Sequence, residues 1–149
     1  MKSFTIDSSV IVKFILPDKP DEDHQLNALH LMKLIQGNTI RVLQPVHWLP
    51  EIAAVIVRSS PRVAAKAIAT LVALAFPILN ELEVYELACE LSEKLDHHLF
   101  DTLYHAVALY SGHSTFITAD EKYYKKAKKY GHIVSLAEFN IFEHIEVIA

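Results

Sequence analysis

Cysteine and glycine are scarce in this chain of 149 residues, one of the first and three of the second. The lone Cys89 excludes an internal disulfide and any zinc site built on paired cysteines, and it suits a reducing cytoplasm. With so little glycine, 52% hydrophobic and 21% charged residues exclude a disordered chain and imply a core large for the size. Positive charge is short as well. Fourteen basic against eighteen acidic residues leave a net charge of −4, so nucleic acid would have to be held by a local patch and not by a global field. Long apolar runs are missing too: the longest stretch without a charged residue or histidine, residues 67–80, has 14 residues, fewer than the roughly 20 of a spanning helix. The N-terminal apolar run contains Asp7 and Lys13 and does not read as a signal peptide. The length matches about one average domain, so residues 1–149 are expected to form one domain without linker or repeat.

What is present alternates between strand and helix. Residues 4–6 read as a short strand, then Ser8 or Ser9 caps a helix over 10–16 that Pro17 stops. A polar connection at 19–23 precedes a helical apolar face made by Leu26, Leu29, Leu31, Met32, Leu34 and Ile35, with Gly37 as its C′ residue. A strand over 40–43 is followed by a helix opened by Pro45, in which Pro50 is tolerated within the first turn. Ser60-Pro61 reads as an N-cap and N1 pair starting a helix to about residue 75. Residues 77–79 read as a short strand or simply extended chain. Helices over 83–95 and 100–110, a strand over 115–118, a helix begun by Asp120 and ended by Gly131, and a last strand at 133–134 complete the order. Strands apolar on both faces and separated by helices predict an α/β fold with a mostly parallel sheet covered on both sides.

Four acids sit in apolar company. Asp7 ends the first strand, Glu51 is the only charge between Arg41 and Arg58, Asp101 lies in Leu99-Phe100-Asp101-Thr102-Leu103-Tyr104, and Asp120 follows the 115–118 strand. Ionised carboxylates in such surroundings are costly unless paired or metal-bound. Ligands of an open parallel sheet bind at the carboxyl ends of its strands, where Asp7 and Asp120 are expected, and Glu51 and Asp101 start helices that can point there. Four carboxylates in one cleft require a cation, and an all-oxygen donor set selects Mg²⁺ or Mn²⁺. Separate structural roles are the alternative: Asp101 and Asp120 as helix N-terminal acids, Asp7 paired with Lys13.

The stretches Ile6-Asp7-Ser8-Ser9, Pro45 through Glu51-Ile52, Phe100-Asp101-Thr102-Leu103-Tyr104-His105-Ala106-Val107-Ala108 and Phe116-Ile117-Thr118-Ala119-Asp120 together resemble a PIN domain, specifically the compact VapC-type toxins of VapBC toxin–antitoxin pairs. The resemblance implies a three-layer α/β/α sandwich and a metal-dependent endoribonuclease. It makes Asp7, Glu51, Asp101 and Asp120 the catalytic and metal-binding quartet, with Ser9 and Thr118 supporting the first and last acids by hydrogen bonding. It also implies an RNA substrate and a small cognate antitoxin that blocks the cleft. Ala54 departs from the family, which often carries Asn three residues after the glutamate, and Pro50 beside Glu51 is unusual.

Lys122, Lys125, Lys126 and Lys129 share a helical face just after Asp120, either as a phosphate-contacting ridge or as a solvated face with cations near a helix C-terminus. Asp101 and His105, four apart, admit a mixed carboxylate–imidazole site, while His97 and His98 are neighbours that diverge. Cys89, Trp48 and Tyr104 read as packing residues. Surplus apolar surface in 67–79 and in the tail (Ile141, Phe142, Ile145) suits a homodimer. A dehalogenase-like phosphotransferase is disfavoured, because it needs an Asp two residues after the first and Ser9 stands there. A catalytically inactive PIN-like RNA-binding or interaction module is the remaining rival.

Overall fold

The computed structural model describes residues 1–16 and 24–139. Strand β1 (Ser3–Ile6) leads into helix α1 (Ser8–Ile15), then α2 (Gln25–Gln36), β2 (Arg41–Val42), α3 (Trp48–Ser59) and α4 (Ala64–Ala73). The second half runs α5 (Leu82–Leu95), α6 (Leu99–Ser111), β3 (Ser114–Thr118), α7 (Glu121–Ala127) and β4 (Ile133–Ser135), with 3-10 turns at Lys128–Tyr130 and Leu136–Glu138. All strand pairs are parallel, in the order β2-β1-β3-β4. Phe4, Thr5 and Ile6 of β1 and Phe116, Ile117 and Thr118 of β3 are buried, so neither central strand has a solvated face. Helix α6 packs on β1 and β3 and carries α5; α1 packs on β3 and carries α2 and α3. This is the expected three-layer α/β/α arrangement.

Strand order places the site. From β1 the chain moves outward to β2, then returns across β1 to β3 and continues to β4. The reversal lies between β1 and β3, whose carboxyl ends diverge into the crevice where open α/β sheets bind ligands. The pair is held in register through Ile6 and Ile117, and Asp7 N–H extends it by donating to the Ile117 carbonyl at 3.0 Å. On the other side, two-residue β2 is too short to accompany β1 to its end. Buried Gln44 takes over: its amide accepts from Ile6 N–H at 2.8 Å and donates to the Ile6 carbonyl at 2.9 Å. The last residue before Asp7 is thus fixed on both edges.

Several expected details resolve differently. Asp7 and not a serine occupies the N-cap of α1, its carbonyl accepting from Val10 and Ile11 N–H, while Ser8 and Ser9 are already helical. Gly37 has φ −80°, and the left-handed residue after α2 is Asn38 at φ 54°, a conformation that Asn tolerates. Pro61 lies in a turn closed by Val63 N–H on the Ser60 carbonyl, and α4 starts only at Ala64; the chain must reverse before α4 can pack on α3. Cys89 is exposed. The core face of α5 is Val84, Ala88, Leu91 and Leu95, and one step past Ala88 rotates a side chain about 100° toward solvent. The expected connection at 19–23 and the apolar tail residues Ile141, Phe142 and Ile145 lie outside the described residues. Of 67–79, Ala67 and Leu71 are buried whereas Val72 and Ile78 are exposed.

Candidate metal-binding and catalytic site

Asp7 is the buried centre of the crevice, 5% exposed. Its Oδ2 accepts from Ser9 Oγ at 2.7 Å and from Thr118 Oγ1 at 2.8 Å. Each hydroxyl also accepts from the strand-end backbone, Ser9 from Ala119 N–H at 3.1 Å and Thr118 from Asp120 N–H at 3.0 Å. Two hydroxyls therefore tie the end of β1 to the end of β3 through one carboxylate. Thr118 reaches Asp120 through its main chain, not through its carboxylate. Burial pushes the Asp7 carboxyl up to about 7; the two hydroxyls lower it, and the charges of Asp101 and Glu51 raise it further. Burial is thus the main cause and the neighbouring acids add to it.

Asp101 and Asp120 approach from two helix starts. Asp101 lies in the first turn of α6, whose N-cap His98 accepts from Phe100 N–H. Asp120 caps α7, its Oδ1 accepting from Tyr123 N–H at 3.0 Å. The helix-terminal role and a place in the crevice are thus compatible. Between them stands His97, with Nε2 3.0 Å from Asp101 Oδ2 and 3.8 Å from Asp120 Oδ2. One ligand atom from each of these three residues falls within 4.8 Å of the others.

Glu51 is held from behind. Tyr104 Oη donates to its Oε1 at 3.1 Å, and His47 Nε2 lies 3.6 Å from its Oε2. Burial, and then the charge of Glu51, hold the Tyr104 hydroxyl far above its ordinary range, so it stays a donor. Burial lowers His47, which is neutral, with Nε2–H on the Phe100 carbonyl at 2.8 Å and Nδ1 buried without a hydrogen-bond partner. A bare lone pair there is the cheaper orphan, since an N–H would be the costlier one to strand. Ala54 is exposed on α3.

The PIN domain family model matches residues 4–129. This chain belongs to the PIN domain family. Comparison with curated proteins found no match. PIN domains are generally nucleases and typically use a divalent metal, and the donors here fit such an ion: three convergent ligand atoms near a buried carboxyl that feels the charges of Asp101 and Glu51. Hard carboxylate oxygens suit a small divalent cation.

Two further expectations about this PIN domain are corrected or refined. His105 does not join Asp101 in a mixed site. It is fully buried, with Nδ1 2.8 Å from Tyr123 Oη and Nε2 2.8 Å from the Gly131 carbonyl; burial lowers its pKa, and it fastens α6 to α7 and to the approach to β4. The imidazole beside Asp101 is His97, four positions before it, a spacing legible in the sequence but hidden by the break at 96–98. Of the lysines, Lys122, Lys125 and Lys129 are exposed, and Lys129 Nζ sits 5.5 Å from the Tyr130 ring centroid. Lys126 Nζ instead donates to the Leu95 and Asp96 carbonyls at 3.1 and 3.2 Å, closing the C-terminus of α5. Trp48 and Tyr104 pack as expected, on Phe76 and Phe116. Among the described residues no helix is long and apolar enough to cross a membrane.

Proposed function

We propose that this PIN domain is an endoribonuclease dependent on Mg²⁺ or Mn²⁺ and serves as the toxin of a toxin–antitoxin pair, with Asp7, Glu51, Asp101 and Asp120 as its working acids. The observation that carries this reading is the crevice at the β1/β3 reversal. There a buried Asp7 feels the charges of Asp101 and Glu51, and Asp101 and Asp120 point ligand atoms at one spot.

A divalent ion in such a site lowers the pKa of water and neutralises charge on a phosphodiester. Asp7, Asp101 and Glu51 would hold it, and Asp120 would bind a second ion or orient the attacking water. Ser9 and Thr118 fix the Asp7 carboxylate through Oδ2, and Tyr104 holds Glu51 through Oε1. Lys122, Lys125 and Lys129, exposed just past Asp120, would lead the RNA backbone toward the acids, leaving 5′-phosphate and 3′-hydroxyl ends. A small antitoxin covering the crevice, and a homodimer using the exposed Val72 and Ile78, complete the proposal.

The test is cleavage of single-stranded RNA. Activity with Mg²⁺ or Mn²⁺ that is lost in EDTA and falls at least about 100-fold in Asp7→Asn supports the nuclease. RNA binding without cleavage, unchanged in Asp7→Asn, supports an inactive binding module instead.

A further inference from the structure

His97 stands outside the acid quartet, yet it is firmly placed beside two of its members. Its backbone is gripped from both directions by one residue: His97 N–H donates to the Ser92 carbonyl at 3.1 Å, and Ser92 Oγ donates to the His97 carbonyl. Asp96 before it takes a left-handed turn at φ 47°, and the carbonyls of Leu95 and Asp96 are pinned by Lys126. The ring leans on Tyr123, centroids 4.7 Å apart, and the side chain is only 12% exposed. The backbone bonds close the end of α5 and thereby fix where the ring starts, and the Tyr123 contact fixes where it lies.

The spacing of the donors is informative. An ion about 2.1 Å from each ligand separates neighbouring octahedral ligands by about 3.0 Å and opposite ones by about 4.2 Å. His97 Nε2 lies 3.0 Å from Asp101 Oδ2 and 3.8 Å from Asp120 Oδ2, inside that span. We infer that His97 is a nitrogen ligand, through Nε2, to the second ion, which Asp120 would bind and Asp101 would share, and that it biases that position toward a transition ion such as Mn²⁺ over Mg²⁺. The inference rests on the divalent-ion reading of the crevice proposed above. Its chemical ground is that imidazole suits first-row transition ions, whereas Mg²⁺ favours an all-oxygen shell and keeps its waters. The alternative role is a hydrogen bond from His97 to Asp101, broken or bypassed when an ion enters.

The two roles separate spectroscopically. The full chain is titrated with Mn²⁺ and with Mg²⁺ by calorimetry, and the Mn²⁺ complex is examined by electron spin-echo envelope modulation for ¹⁴N coupling. Wild type is expected to show histidine ¹⁴N modulation that is retained in His98→Gln, an exposed neighbour, and lost in His97→Gln. His97→Gln is also expected to weaken Mn²⁺ binding by about tenfold and Mg²⁺ by less than about twofold. Circular dichroism checks that each variant is folded, and the wild-type spectrum stands without any variant. Bound Mn²⁺ with no ¹⁴N modulation, or modulation that survives His97→Gln, overturns His97 as ligand and leaves the nuclease reading intact. Wild type that binds no Mn²⁺ at all overturns both.

Discussion

Asp7 concentrates the conflict between stability and use at a single side chain. Folding raises its carboxyl from 3.8 to about 7, chiefly through burial. For an acid shifted upward, the folded metal-free protein is penalised above the folded pKa, and the penalty fades as pH falls toward the unfolded value. Asp7→Asn should therefore stabilise the metal-free protein at pH 8, by up to about 4 kcal/mol if the whole shift is recovered. The gain over wild type should shrink steadily between pH 7 and pH 4. Urea denaturation of both proteins in EDTA measures it; a pH-independent difference would refute the assignment of the burden to this carboxyl. Glu51 and Asp120 were visible in the sequence as acids out of place, but His97 was not, because its neighbour His98 masks the four-residue spacing to Asp101. His105 was visible for the wrong reason: the same spacing on the other side of Asp101 points into the core, where it meets Tyr123 and Gly131.

At the scale of elements, the site depends on how α5, α6 and α7 meet. Thr102 Oγ1 donates to the Ala88 carbonyl at 2.9 Å, holding α6 against α5, and Lys126 of α7 closes the end of α5. Lys126→Met should cost about 1 kcal/mol through lost bonds to helix-end carbonyls, read as a lower urea midpoint. Lys122→Ala and Lys125→Ala, at exposed positions, should leave that midpoint within about 0.5 kcal/mol and lower the salt slope of RNA binding by about one each. A Lys126→Met protein with an unchanged midpoint would show that the cap contributes nothing. The lysine spacing was plain in the sequence. That one of the four caps a neighbouring helix was not, because the partner carbonyls lie 31 and 30 positions away.

For the whole molecule, ion binding and folding are linked, since the ligand atoms come from segments far apart in the chain and meet only in the folded state. At an ion concentration 100 times the dissociation constant, the fold should gain about 2.7 kcal/mol, an increase in melting temperature of about 5–10 °C for a domain of this size. The shift should vanish in EDTA and be reduced in Asp7→Asn. Thermal scans across a Mn²⁺ series check this, and a melting temperature indifferent to Mn²⁺ would count against the site. The exposed Val72 and Ile78 belong to this scale as well; sedimentation of wild type against Val72→Lys tests whether they support the proposed homodimer, which the variant should weaken.

The sequence by itself determined the alternation of strands and helices, the doubly covered parallel sheet and the oddity of four acids among apolar neighbours, because periodicity and local charge are properties of short segments. Only the tertiary structure decided which atoms meet. The register that pairs Ile6 with Ile117 brings Asp7 to the Thr118 hydroxyl, and the restraints on residues 95–97 turn one imidazole of nine toward two carboxylates. The first meeting spans 111 positions and the second joins a helix end to two later helix starts, so neither follows from the pattern of one short segment.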